Sequence, residues 1–280
     1  MNDEERYLFD LNGYLVLPGV LGTAELSALH EAVDRHASAI RERGPAESLS
    51  GGAAPLQGAR GRGELQGMLS WERPWRDPFV GLLAHARIVP CLFELLGPGF
   101  RLDHEPLLLA SRPGAEGMLL HGAPGREFDP TLYYLFRNGH GHSGLLVVEW
   151  LLSDVGSEDG GLCVIPGSHK ANLACPVPIT RLERHRDLVR PVPARAGDVI
   201  LFTEALTHGT LPWRGRSERR TLLFRYSPPT QAHSREYLPV WGAARLPELT
   251  PAQRAVLEPP YHPRLDRPVL GPDGVERRGL

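Results

Sequence analysis

The sequence predicts a mainly β chain in which an antiparallel sandwich or barrel carries flanking helices. Two observations predict it. Between about residues 101 and 228, short β-rich runs (106–111, 117–121, 145–153, 161–165, 198–203 and 220–227) alternate with Gly/Pro turns. Helical periodicity is confined to the first hundred residues and one short piece of the tail. A chain of 280 residues can bury one large core. The expectation is therefore a single domain over 1–280, with a helical part at about 1–100, a β core at about 101–228 and a Pro-rich extension at 229–280.

Taken in order, residues 13–21 read as a short strand that ends at Pro18-Gly19. Thr23 then fits a helix N-cap, and Leu26, Leu29, Val33 and Ile40 keep helical spacing up to Gly44. Residues 45–68 hold six glycines and no periodicity. They are expected to form a structureless loop, either a lid or disordered. Asp77-Pro78 opens a further helix, and Pro90 restarts it to end at Gly97. After the β-rich region, Thr250-Pro251-Ala252-Gln253 forms a capping box for one short helix.

Composition excludes several classes. A net charge of −2 gives no footprint for nucleic acid or an anionic membrane. The start lacks an apolar stretch and no run approaches membrane-spanning length, which predicts a cytoplasmic protein without a membrane partner. Cys91, Cys163 and Cys175 form no CxxC pair and read as small buried thiols. Lys170 is the sole lysine among 31 basic residues. With so strong an arginine bias, a single arginine means little without positional support.

The candidate chemistry lies in two histidines. His121-Gly122-Ala123 follows Met118-Leu119-Leu120, and His208-Gly209-Thr210 comes later, with Arg219 eleven residues past His208. A non-haem iron site uses two histidines and one carboxylate on one face of the metal. The usual arrangement has the acid one residue after the first His, where this chain has Ala123. Three options follow: a vacant metal position, an acid from elsewhere, or a dead site. The turn Ala196-Gly197-Asp198 leads into the strand 198–203, and His208 is expected to precede a further turn, Gly209 to Gly215. Thr210 and Arg219 can then share a cavity wall, the arginine forking a carboxylate.

Over roughly residues 8–228 the chain resembles the phytanoyl-CoA dioxygenase family of iron(II)- and 2-oxoglutarate-dependent oxygenases. The resemblance rests on Asn12-Gly13-Tyr14-Leu15-Val16-Leu17-Pro18-Gly19, on Leu152-Ser153-Asp154-Val155, on the run from Asp159 to Pro166-Gly167-Ser168-His169-Lys170, and on Ala196–Phe202 leading to His208 and Arg219. It implies a double-stranded β-helix, a jelly roll of cupin type. It also implies His121 and His208 as iron ligands, Thr210 and Arg219 on the distal carboxylate of 2-oxoglutarate, O2 as co-reactant, and His169 as a structural residue.

Ala123 departs from the hydroxylase pattern and is similar to the halogenase branch of the family. There chloride takes the vacated position beside Gly122 and Ala123, and an unactivated carbon of a small metabolite (a nucleotide, amino acid or alkaloid) is chlorinated after hydrogen abstraction. The alternative is a hydroxylase whose acid is borrowed. Glu149 leads that list, with Asp129, Glu204 and Asp103 behind it; a buried Glu in an apolar strand needs metal, substrate or an arginine. A non-catalytic binding protein is a third option. Arg60 and Arg62, in the glycine-rich loop, are candidate contacts for an anionic substrate. Gly139-His140-Gly141-His142-Ser143-Gly144 matches GxGxxG only as a string, since it leads into a strand. His140 and His142 with Glu149 approach a cupin metal motif, but the gap is long and a flexible loop is the simpler expectation.

Overall fold

A computed structural model describes residues 1–123, 125, 129–234, 248–261 and 266–278; part of the Pro-rich extension lies outside them. The chain opens with α1 (Asp3–Asn12), where Asn2 and Glu5 form a capping box and Gly13 closes the end in the left-handed region. Next come β1 (Tyr14–Leu17), α2 (Thr23–Arg35), β2 (Arg41–Glu42) and β3 (Gly63–Leu65). Two short helices, α3 (Asp77–Leu82) and α4 (Val89–Leu96), lead to β4 (Arg101–Leu102), β5 (Leu107–Ser111) and β6 (Met118–His121). Then follow β7 (Tyr134–Arg137), β8 (His140–Ser143), β9 (Leu146–Leu151), β10 (Gly161–Val164), α5 (Val177–Thr180) and β11 (Arg190–Pro191). The remainder is β12 (Val199–Thr203), β13 (His208–Leu211), β14 (Arg219–Ser227), α6 (Pro251–Val256), β15 (Pro268–Leu270) and β16 (Glu276–Arg278).

Two antiparallel sheets face each other. The larger runs β1-β12-β9-β14-β5-β3-β2, with β4 also on β14; the smaller runs β11-β10-β13-β6. This is the expected jelly-roll core. It also explains why β9 is a continuous buried run, since alternate residues serve two different cores. Leu146, Val148 and Trp150 pack under the helices with Leu29, Phe79, Leu92 and Phe224. Val147 and Leu151 point the other way, toward Leu162, Val164, Ile200, Phe202 and Leu223 between the sheets. Glu149 shares that inner face by parity.

Several expectations need correction. Gly22 is the N-cap of α2, with Thr23 the first helical residue. The helix stops at Arg35, not Gly44: His36 stacks on Trp71 at 3.7 Å, and the chain turns into β2, which pairs with β3. The 45–68 segment is not structureless. It carries two short 3-10 turns and β3, its Ala53 and Leu56 are fully buried, and Arg60 bridges Ala115. The first hundred residues therefore give three strands to the larger sheet as well as helices. His208 begins a strand, and its turn (204–207) precedes it. Residues 140–143 form the second arm of the β7–β8 hairpin, not a flexible loop. No described helix is long and apolar enough to cross a membrane.

Candidate metal and cosubstrate site

His121 ends β6 and His208 begins β13, and the two are paired across the smaller sheet with ring centroids 4.2 Å apart. Each Nδ1–H donates to a carbonyl two residues back, Leu119 O at 3.2 Å and Leu206 O at 2.8 Å. A carbonyl can only accept, so these bonds fix the tautomer and leave both Nε2 lone pairs for a ligand. The glycines after the histidines serve this approach. Gly122 has φ +147°, and a Cβ there would collide with Leu206 O; at Gly209 a Cβ would sit 2.8 Å from Met118 O.

A carboxylate, absent at Ala123, does lie beside the two histidines in space: that of Glu204. This residue follows β12 on the turn into β13, its N–H donating to Leu145 O at 2.9 Å. Its Oε2 lies 3.5 Å from His208 Nε2, and one ligand atom each from His121, Glu204 and His208 fall within 4.8 Å of one another. Burial by itself would raise the Glu204 carboxyl, but His208, Arg225 and His121 hold it down to about 2. Burial, reinforced by His121, pushes the His208 imidazole down to about 4. At neutral pH the cluster thus offers an ionised acid and a neutral His208. Two imidazoles and one carboxylate are a donor set that suits iron(II) and leaves positions open.

A cavity of about 120 Å³ adjoins these residues. Its polar lining includes Thr210, Arg219, Glu149, Arg62 and Arg225; Leu107, Leu109, Leu162, Phe202 and Leu223 give the apolar part. Arg219 is 2% exposed and donates through Nη2 to Glu149 Oε1 at 2.6 Å. Its Nε and Nη1 are buried without a partner among the described residues. An unsatisfied guanidinium edge at a cavity wall costs free energy until an anion meets it. The distal carboxylate of 2-oxoglutarate is such an anion, so the residues present fit that cosubstrate.

Of the residues named from sequence, His121, His208, Thr210, Arg219, Glu149 and Arg62 line this one cavity. Glu149 meets Arg219. Arg62 is buried with Nε and Nη2 on Glu64, held in place beside β3 rather than on a lid. Arg60 is exposed and does not line it. Asp103 is spent on Arg101 and Ser227, and Asp129 on Thr131. His140 and His142 border a different pocket, against α1 and α4. His169 is structural: its Nε2 meets Asp10 O at 3.0 Å, while Ser168 Oγ accepts from Thr207 N–H at 2.8 Å, immediately before His208. Sequence reasoning ranked Glu204 below Glu149 and missed Arg225. The available signals were the Glu-x-x-x-His spacing of 204 and 208, and the even separation of Arg225 from Arg219 along one strand.

Among curated protein sequences none matches this chain significantly. The structure is similar to HygX from Streptomyces hygroscopicus with nickel, 2-oxoglutarate and hygromycin B bound, at 23% identity and TM-score 0.69, covering 87% of this chain and 94% of that one. Iron-bound HygX matches at 25% identity and TM-score 0.64, with coverage of 87% and 93%. SnoK, a non-haem α-ketoglutarate-dependent carbocyclase from nogalamycin biosynthesis, matches at 20% identity and TM-score 0.57, with coverage of 82% and 85%. The family model described as Phytanoyl-CoA dioxygenase (PhyH) matches residues 9–221, most of the chain. This protein belongs to that family and is a non-haem iron- and 2-oxoglutarate-dependent oxygenase.

Proposed function

We propose that His121, Glu204 and His208 hold the iron, with Glu204 in the role vacated at Ala123, and that the enzyme is an oxygenase acting on a small natural product. The observation that carries this is the placement of the Glu204 carboxylate 3.5 Å from His208 Nε2, with His121 completing the cluster. Arg219 offers its free Nε and Nη1 to the distal carboxylate of 2-oxoglutarate, with Thr210 on the same wall and Glu149 fixing the other side of the guanidinium. When bound, iron(II) and 2-oxoglutarate supply an oxidation driven by O2. The protein orients the cosubstrate and walls the site with apolar side chains that exclude water. Similarity to HygX, one structure of which holds hygromycin B, and to SnoK from nogalamycin biosynthesis supports this substrate class.

The halogenase reading draws on a different observation. Ala123 carries no ligand atom, which leaves room for chloride wherever no other acid occupies the position. Glu204 weighs against it, because its charge already balances the metal. One titration separates the two. Iron(II) and 2-oxoglutarate together, without oxygen, should give a weak visible charge-transfer band that Glu204→Ala abolishes and halide leaves unchanged. Arg219→Ala should weaken 2-oxoglutarate by about 2–5 kcal/mol, since it strips one partner from a buried charge pair. A saturable halide shift of the band, with Glu204→Ala still binding iron, supports chlorination and sinks the borrowed acid.

A further inference from the structure

Glu204 is held from two sides. Its Oε2 faces His208, while Oε1 accepts a hydrogen bond from Arg225 Nε at 3.2 Å. Arg225 lies on β14, six residues after Arg219, so the two-residue period of a strand puts Arg219, Leu223 and Arg225 on the inner face. All three line the cavity. Across the sheet Arg225 pairs with Val147, which pairs with Phe202, so the guanidinium sits in a fixed row over the end of β12 from which Glu204 departs. Its own carbonyl accepts from Asp103 N–H at 2.8 Å, anchoring the backbone at that point. One strand thus delivers two guanidiniums, one to the end of the cavity where Glu149 lies and one to Glu204.

We propose that Arg225 is a positioning residue that clamps Oε1 of Glu204, so that this carboxylate presents one oxygen, and only one, to the metal. The proposal rests on the reading of His121, Glu204 and His208 as ligands. Glu204 sits on a turn rather than inside a strand, so its backbone alone fixes it less firmly than those of the two histidines. A carboxylate with a free second oxygen can bind a cation through both. That would consume one of the three positions a two-histidine, one-acid site must leave open. A guanidinium on Oε1 removes that option, orients Oε2, and offsets the cost of burying the acid.

The test uses the full chain stripped of metal, with cobalt(II) as the probe, and reads affinity and the visible absorption of the bound ion. Arg225→Met should lower cobalt(II) affinity about 10- to 100-fold, as loss of a group orienting a ligand commonly does. It should also alter the absorption, because the freed oxygen changes the coordination. Arg225→Lys keeps the charge without the Nε–H that meets Oε1 and should fall between. Native affinity and native absorption in Arg225→Met overturn the clamp. If Arg225→Met fails to fold, native affinity in Arg225→Lys overturns it equally. Glu204→Ala isolates the underlying reading: native cobalt(II) affinity in that variant removes Glu204 as a ligand, whatever Arg225 does. Loss of binding in Glu204→Ala together with native behaviour in Arg225→Met removes the clamp alone.

Discussion

Glu149 and Arg219 are each 2% exposed, so solvent screens their attraction little, but both groups have lost their water. Such a pair is poor evidence of net stability, yet removing one member leaves a bare buried charge. Glu149→Leu should therefore cost about 3–5 kcal/mol in urea unfolding, while Glu149→Leu with Arg219→Met should recover much of it. A cost below about 1 kcal/mol for Glu149→Leu would mean the guanidinium finds water or another acid, and the pair would not be what fixes its orientation. At this scale the histidines, Thr210 and Arg219 were legible mainly through the family resemblance, since their spacing alone is a weak signal; all four line one cavity. Glu204 was legible only as one acid among several. Its approach to His208 depends on the 204–207 turn, whose shape no periodicity records. Glu149 was read as a buried acid in need of a partner, which it is; nothing in the sequence said that the partner would be Arg219.

Among the elements, the segment Pro166–Lys170 shows how a motif without chemistry can govern a site. It pins the end of α1 through His169 on Asp10 O and Gly167 N–H on Asn12 O, and pins the residue before His208 through Ser168. Burial pushes the His169 imidazole from 6.5 down to about 4, the strongest influence on it, with Lys170 adding to the effect. Between those pH values the unfolded chain holds a proton that the folded chain does not. Stability contributed at His169 is then intact above about 6.5 and falls as pH drops toward 4. His169→Gln retains a donor for Asp10 O but cannot titrate. The stability of the native protein relative to this variant should therefore shrink from pH 7 to pH 4.5 in urea melts. A difference that stays constant across that range would show His169 to be protonatable in the fold. The long β-runs were legible from composition and turns, and α6 from its capping box. β2 and β3 were not, because two or three residues cannot display a period of two, and Gly63 and Glu64 carry no strand signature. Gly51, Gly58, Gly61 and Gly63, which made 45–68 look like a structureless loop, instead sit where a Cβ would collide with neighbouring atoms, in a segment fixed by Ala53 and Leu56.

For the molecule as a whole, the strand-and-turn rhythm of 101–228 implied an antiparallel sandwich or barrel and the family resemblance a jelly roll, but neither showed which elements would be joined at the site. Glu204 extends from β12 of the larger sheet, whereas His121 and His208 belong to the smaller one. A metal held by all three is therefore a link between sheets, placed at the end where β6 is the edge strand and His121 is exposed. Edge strands with little burial are the first to open locally. A ligand that binds only the folded chain stabilises it by about 2.7 kcal/mol at a hundred times its dissociation constant. Adding cobalt(II) to the stripped protein should thus raise the melting temperature. It should also slow amide hydrogen exchange most in β6 and β13, with little change in β5 or under the helices around Trp150. Exchange slowed equally everywhere would indicate that β6 opens only with the whole fold. Melting raised without any added protection of β6 would remove His121 from the ligand set while leaving Glu204 and His208 in place.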